Sequence, residues 1–334
     1  MLPDIVIDGL DLMKYLQNPP QELCPKEAFL ATAARRVVEV PRFLKTKGAY
    51  WEADPQKAAV ARGIAEAYAG KTRLFGRDHL FNAFDQRTKR RLKIVSMHGT
   101  DGDSSATRKV LEDHGLKAIA DQNFFMAGLK MYERPLAKVL FPIESVVMVP
   151  TPFDLQAIDH ALKEGRSTYT DRELELIGNY SKTMNTLSRS ALRETIRLQK
   201  EGKVLNVYPE ATRTRTGFLG KVPAEIDMYF REKDADDLIL PAASVGMEKL
   251  IPVGKTISRD KYAKYLKNVP LTQYYGRPLS VGQIEEWRKR AEQQGIPATR
   301  ADLSIVMIGE LVPDRIAPDR RQWHHDLVSL KPSA

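Results

Sequence analysis

Leu92-Lys93-Ile94-Val95-Ser96-Met97-His98-Gly99-Thr100-Asp101-Gly102-Asp103-Ser104 opens as a short apolar run and breaks into a polar turn holding two glycines. Leu92 to Met97 reads as a strand, and Ser104 to His114 reads as a helix with serine near its cap. A strand that ends where a helix begins is the unit of an α/β sheet, and that junction is the edge where such sheets bind ligands. The alternation recurs outward along the chain. Ala118 to Ile119 reads as a short strand, Ser145 to Val149 as another, and Leu187, Ala191, Leu192 and Ile196 form a helical stripe that Gly202 ends. Strands are expected over Val204 to Tyr208, Leu238 to Val245 and Leu271 to Tyr275, with a closing helix from Asp302 to Leu311 that Pro313 stops. The expected fold is α/β, a mixed sheet flanked by helices.

Before Leu74 the texture differs and reads as helical. Asp11 to Gln17, Pro25 to Val38, and Asp54 to Tyr68 are the segments, the last with Ala58, Ala59, Ala61, Ile64, Ala65 and Tyr68 at helical spacing and Gly70 closing it. The expected division is a small helical amino-terminal unit over residues 1–72 and an α/β domain over residues 73–334. The small unit suits a cap on the main domain, a docking surface for a carrier protein or membrane, or plain packing.

The chain has 334 residues, 43% hydrophobic and 28% charged, which fits a globular protein with ample core and excludes wholesale disorder. The apolar run from Ile143 to Val149 is interrupted by Glu144 and Ser145 and falls far short of the roughly 18 residues of a spanning helix. Cys24 is the only cysteine, so no internal disulfide forms, and no cysteines and histidines have structural-zinc spacing. Met1-Leu2-Pro3-Asp4 carries no basic patch ahead of an apolar run. The expected location is therefore the cytoplasm, including its membrane surface, or the plastid stroma if a transit peptide has been removed. Lys+Arg 52 against Asp+Glu 43 gives a formal net charge of +9, which attracts anionic partners: nucleic acid, anionic lipid, phosphorylated metabolites or acidic carrier proteins.

Two stretches can carry chemistry. In the first, His98 is followed five positions on by Asp103 across a glycine-containing turn. A carboxylate bonded to one imidazole nitrogen leaves the other free as a base, with Asp101 a rival partner. The plain alternative is that His98 caps the turn and Asp103 caps the helix. The second stretch is Val207-Tyr208-Pro209-Glu210-Ala211-Thr212-Arg213-Thr214-Arg215-Thr216-Gly217, again directly after an apolar strand. Arg213 and Arg215 alternate with hydroxyls and supply forked donors suited to phosphate, while Glu210 can orient a polar group or an arginine. Read alone, it is a solvated charged loop.

In this order the two stretches resemble the motifs of the glycerolipid acyltransferase superfamily, which includes glycerol-3-phosphate and lysophosphatidic acid acyltransferases. That family carries Asn-His-x4-Asp and, downstream, Pro-Glu-Gly-Thr-Arg followed by serine and often a second arginine. Gly76-Arg77-Asp78-His79-Leu80 resembles its Gly-x-Glu-Asn-Leu segment, and Tyr275-Gly276-Arg277-Pro278-Leu279 resembles its late Phe-Gly-x-Pro-Ile turn. Lys221 falls where many members place a lysine, and Leu311-Val312-Pro313 with Asp319-Arg320-Arg321 resembles the usual ending. The resemblance covers about residues 74 to 322. The helical start, with Asn185-Thr186-Leu187-Ser188 before a helix leading into the second motif, is most similar to soluble plastid-type glycerol-3-phosphate acyltransferases.

What the resemblance implies is an O-acyltransferase of phospholipid biosynthesis. The fatty acyl group would pass from acyl carrier protein or acyl-CoA, with no bound cofactor or metal, to the hydroxyl of glycerol-3-phosphate. The alternative acceptor is its 1-acyl ester, lysophosphatidic acid. His98 would be the base and Asp103 its orienter. Arg213, Arg215, Lys221 and Thr212 would hold phosphate, with Glu210 shaping that loop and a main-chain N–H near Gly99 facing the oxyanion. Peripheral contact with an anionic membrane is expected, and a nucleic-acid partner is not. Met97 stands where the family has asparagine and Ala211 where it has glycine. The family's arginine after the middle strand has no clear counterpart: Val149-Pro150-Thr151-Pro152 occupies its place, with Arg166 and Arg172 as weak stand-ins.

Other features read more plainly. His324-His325 is adjacent on a helix and diverges rather than chelating. Arg87 to Arg91 and Lys255 to Lys267 are basic runs, solvated faces or contacts to anionic lipid or an acidic carrier. Phe124, Phe125, Met126 and Leu129 are either core or the wall of an acyl tunnel. The reading of another class is a catalytically degenerate basic module that binds anionic lipid or nucleic acid, although no nucleic-acid, Walker or dinucleotide signature is present.

Overall fold

The computed structural model describes residues 6–7, 10–11, 25–54, 56, 71–98, 103–129, 145–210, 218–220, 222–231, 234–246 and 270–332. In chain order the elements are β1 (Val6–Ile7), β2 (Leu10–Asp11), α1 (Pro25–Lys47), β3 (Tyr50–Trp51), β4 (Thr72–Phe75), α2 (Arg77–Asp85), β5 (Leu92–Ser96), α3 (Asp103–Asp113), α4 (Lys117–Gln122) and β6 (Asn123–Gly128). There follow β7 (Val146–Val149), α5 (Pro152–Glu164), α6 (Asp171–Lys200), β8 (Val204–Val207), β9 (Leu238–Val245), β10 (Leu271–Tyr275), β11 (Leu279–Ser280), α7 (Val281–Gln293), α8 (Arg300–Leu311) and α9 (Arg321–Ser329). Strands β3 to β11 form one mixed nine-stranded sheet with helices about it, so the chain is α/β. Among the described residues no helix is long and apolar enough to cross a membrane, and no group of three or more histidine, cysteine, aspartate or glutamate side chains could hold a metal ion.

The chain divides into two compact units, residues 1–57 with 126–197 and residues 58–125 with 198–334. In the first, α1 carries Arg36, which is buried yet fully charged and so needs partners. It donates to the Asp154 carboxylate at 2.6 Å and to the Tyr180 hydroxyl at 2.5 Å. Asp154 also completes the capping box with Thr151 that starts α5, so one carboxylate fixes a helix end and neutralises a buried cation. Val149-Pro150-Thr151-Pro152 is thus a strand end running into a capped helix. Arg166 is exposed and pairs with Asp171.

In the second unit β8, β5 and β9 lie side by side and parallel, with Val95 opposite Val207 and Ser96 opposite Ala242. Residues 123–125 of β6 pair parallel with β8. Strand β10 runs antiparallel to β9, and β4 pairs parallel with β10. Leu80, Ala83 and Phe84 of α2, Leu111 of α3, and Ile119 and Ala120 of α4 close over Leu92, Ile94, Leu238, Leu240 and Val204 to make a core on one face. Helix α8 is buried at Ala301 and from Leu303 to Gly309 and packs on β9, as expected of a helix apolar on nearly every side. Gly76 is left-handed at φ 73° between β4 and α2, and a Cβ there would lie 1.8 Å from the Tyr275 carbonyl oxygen. Only glycine fits that approach.

At the amino end of β5, opposite to His98, sits an ionic cluster. Lys93 Nζ lies 2.8 Å from the Asp237 carboxylate and donates to the Tyr229 carbonyl at 2.7 Å. Arg91 bonds Asp237 at 2.9 Å and Asp234 at 2.6 Å. Burial pulls the Lys93 amine below the usual lysine range, and the neighbouring Asp237 charge opposes that pull. Replacing Asp237 by alanine strands the Lys93 ammonium, so urea unfolding should register a loss of about 3 kcal/mol near neutral pH. A lysine with a lowered folded pKa is penalised at pH values below it. The deficit of the variant against the parent should therefore shrink as pH rises toward the ordinary lysine value.

Several expectations shift. Ala118 and Ile119 lie inside α4 rather than on a strand; Lys117-Ala118-Ile119-Ala120-Asp121-Gln122 is mostly good helix former, and the strand begins at Asn123 with two phenylalanines. Asp11 belongs to a two-residue strand paired with β1 rather than to a helix. The helix expected over Pro25 to Val38 runs on to Lys47 through Pro41. Most of the helix expected over Asp54 to Tyr68, together with Cys24 and Lys255 to Lys267, lies outside the described residues. The basic run is largely engaged in structure: Arg87 donates to the Gly202 carbonyl, Arg90 to the Asp236 carbonyl and Arg91 to its two aspartates.

Candidate functional site

The two motifs leave the sheet side by side. With Val95 opposite Val207 on adjacent parallel strands, counting on along both chains brings His98 level with Glu210, although 112 positions separate them. The main-chain N–H of His98 donates to Glu210 Oε2 at 3.2 Å, and the N–H of Gly220 donates to Oε1 at 2.6 Å. Glu210 is 3% exposed. One buried carboxylate therefore joins the end of β5, the turn after β8 and the exit of the arginine-bearing stretch. The sequence offers an arginine or a polar group as partner for Glu210, and main-chain donors are what these bonds supply.

The exit is held further along. Leu219 N–H donates to the Arg315 carbonyl at 2.8 Å, and the Arg320 guanidinium donates to the Gly220 carbonyl at 2.9 Å. Arg320 also lies over the Trp323 ring at 4.5 Å. The ending segment noted in the sequence thus closes on the second motif, and the segments around Gly76 and Tyr275 close on each other. Removing the Glu210 carboxylate with alanine would leave two main-chain N–H groups without their acceptor. The expected cost is about 3 kcal/mol, from about 1–3 kcal/mol for each buried unsatisfied donor, read as a lowered urea midpoint with an unchanged slope.

His98 is partly exposed at the sheet edge, and its imidazole stacks on the ring of Tyr208 with centroids 4.3 Å apart and planes 21° apart. Tyr208 in turn stacks on Phe125 at 6.3 Å and 16°. The sequence reads Tyr208 as the last residue of a strand, and the strand ends one residue earlier, at Val207; the signal for the stack is an aromatic directly before Pro209-Glu210. Phe124, on the other face of β6, is fully buried. Helix α3 begins at Asp103, five positions after His98 in sequence, and the Asp103 side chain lies outside the described residues. Gly99, Thr212, Arg213, Arg215 and Lys221 also lie outside them. Met97 is buried.

The paired histidines diverge as expected. His324 is buried, with Nε2 3.0 Å from the Val306 carbonyl, and His325 is exposed. Burial lowers the pKa of His324, the contact to the Val306 carbonyl opposing it.

No protein-family model matches the chain, and no curated protein matches it. Among solved structures it is similar to the 1-acyl-sn-glycerophosphate (LPA) acyltransferase PlsC of Thermotoga maritima, with a TM-score of 0.38 and 14% identity over 86% of this chain and 93% of that one. A likeness so distant leaves the chemistry of this chain to its own residues.

Proposed function

We propose that the protein is an O-acyltransferase that moves a fatty acyl group from acyl-CoA or acyl carrier protein to the hydroxyl of glycerol-3-phosphate or its 1-acyl ester. The observation that carries this reading is the meeting of two motifs at one sheet edge through the His98 N–H bond to Glu210.

An alcohol attacks a thioester slowly because its oxygen is a poor nucleophile while it keeps its proton. His98 takes that proton as the oxygen bonds to the thioester carbonyl carbon, and Asp103 orients and stabilises the imidazolium. Collapse of the tetrahedral intermediate breaks the C–S bond, and the thiolate leaves as free thiol with the proton His98 returns. No acyl-enzyme is needed. Arg213, Arg215, Lys221 and Thr212 hold the acceptor phosphate so that its hydroxyl addresses His98. An N–H near Gly99 faces the oxyanion.

Thiol release from palmitoyl-CoA and from palmitoyl acyl carrier protein, with glycerol-3-phosphate or its 1-acyl ester, tests the proposal. Acceptor-dependent release is expected in one pairing, which also selects donor and acceptor. A folded protein that releases no thiol in any pairing would overturn the reading in favour of a basic binding module. Salt-sensitive binding to anionic vesicles or random DNA would then be the remaining property.

A further inference from the structure

We propose that Tyr208 is a positioning residue for His98: its ring, backed by Phe125, fixes the plane of the imidazole at the sheet edge. The proposal rests on the reading of His98 as the base.

A histidine side chain turns about two torsions, and the orientation of its ring plane decides where its nitrogens point. A base works only while its free nitrogen points at the hydroxyl, and an error of about 1 Å in placement can cost on the order of 10²-fold in rate. Hydrogen bonds along the main chain do not fix a side-chain plane. The Glu210 carboxylate bonds the His98 N–H and so sets the backbone, not the ring. The described contact on the ring face itself is Tyr208, near parallel at 4.3 Å.

Tyr208 is well placed for this because it is itself held. It follows β8 directly, and Pro209 and the buried Glu210 come next, so its backbone is pinned on both sides. Its other neighbour, Phe125, is 5% exposed and belongs to the strand paired with β8. Parallel planes in the order Phe125, Tyr208, His98 run from a buried ring of the sheet outward to two partly exposed ones, so the sheet's rigidity reaches the imidazole through Tyr208. Stacking engages the ring face, whereas both imidazole nitrogens lie in the ring plane, where a carboxylate on one side and a hydroxyl on the other approach. The electron-rich face also tolerates the imidazolium that forms when the proton is taken.

The test uses Tyr208→Leu and Tyr208→Phe in the full chain. Tyr208→Leu should lower kcat about tenfold with KM for the acceptor unchanged, and Tyr208→Phe should restore most of the rate, because the ring rather than the hydroxyl acts. In a His98→Ala background Tyr208→Leu should cause no further loss. The His98 ring protons, followed by NMR, should move downfield in Tyr208→Leu as the ring current of the tyrosine is lost, and hold their position in Tyr208→Phe. Equal losses with and without His98, or ring protons unmoved in Tyr208→Leu, would overturn the proposal. If Tyr208→Leu melts early, Tyr208→Met supplies the same contrast with a more adaptable side chain. The NMR shift is independent of turnover, so a protein that keeps the shift but transfers no acyl group fails the functional reading and not the stack.

Discussion

His98→Ala should reduce acceptor-dependent thiol release by about 10²- to 10⁴-fold, the usual range for a positioned general base. The substitution removes a partly exposed side chain at a strand end, so the melting temperature should barely move. The backbone N–H that bonds Glu210 is untouched by it. Loss of rate without loss of fold separates a base from a turn cap, because a cap would lose stability and keep its rate. KM for the acceptor should hold, because the proposed mechanism gives phosphate binding to Arg213, Arg215, Lys221 and Thr212. A variant that turns over within threefold of the parent would remove His98 from the chemistry.

The largest structural effect is expected at Gly76. Alanine there takes about 1–3 kcal/mol of strain from the left-handed backbone alone. Its Cβ would also sit 1.8 Å from the Tyr275 carbonyl oxygen, a backbone atom that cannot swing aside. Either β4 separates from β10 or α2 leaves the core, and the combined loss should reach about 5 kcal/mol, enough to unfold a marginal domain. Gly48 gives the control. It is equally left-handed at φ 70°, but nothing lies within 4 Å of a Cβ added to it. Gly48→Ala should therefore lose only about 1 kcal/mol, and the difference between the two variants in urea measures the collision.

Much of this was readable from the chain because the informative signals are local. β9 and β10 are found over the residues expected, Leu238 to Val245 and Leu271 to Tyr275, each a short apolar run with clear limits. The turn after Ser96 and the proline after Tyr208 mark where the chain leaves the sheet. Ala118-Ile119 gives no reliable strand signal because two apolar residues carry no period, and the helix formers around them decide the matter. Other contacts had no local sign at all. Two of the bonds Glu210 makes go to main-chain N–H groups, which every residue but proline offers, so neither is marked by a residue type in the sequence. The Tyr208 stack depends on the pairing of β6 with β8, and register between strands so far apart is a property of the folded sheet. Nothing beside Lys93 in sequence shows what pairs it; Asp237, directly before β9, is brought next to it by the fold.

The hold of Arg315 and Arg320 on Leu219 and Gly220 bears on the order in which a ribosome delivers the molecule. His98 emerges long before Glu210, and the two guardians of the loop exit emerge later still. At about 5–20 residues per second, the nascent chain spends on the order of 20 s with the end of β5 exposed and its carboxylate partner or clasp unmade. An unfinished polypeptide of this kind presents parallel strands without their last neighbours, a species prone to mispairing. Synthesis stalled before residue 315 should therefore yield chains that chaperones retain, whereas release past residue 320 lets the clasp close.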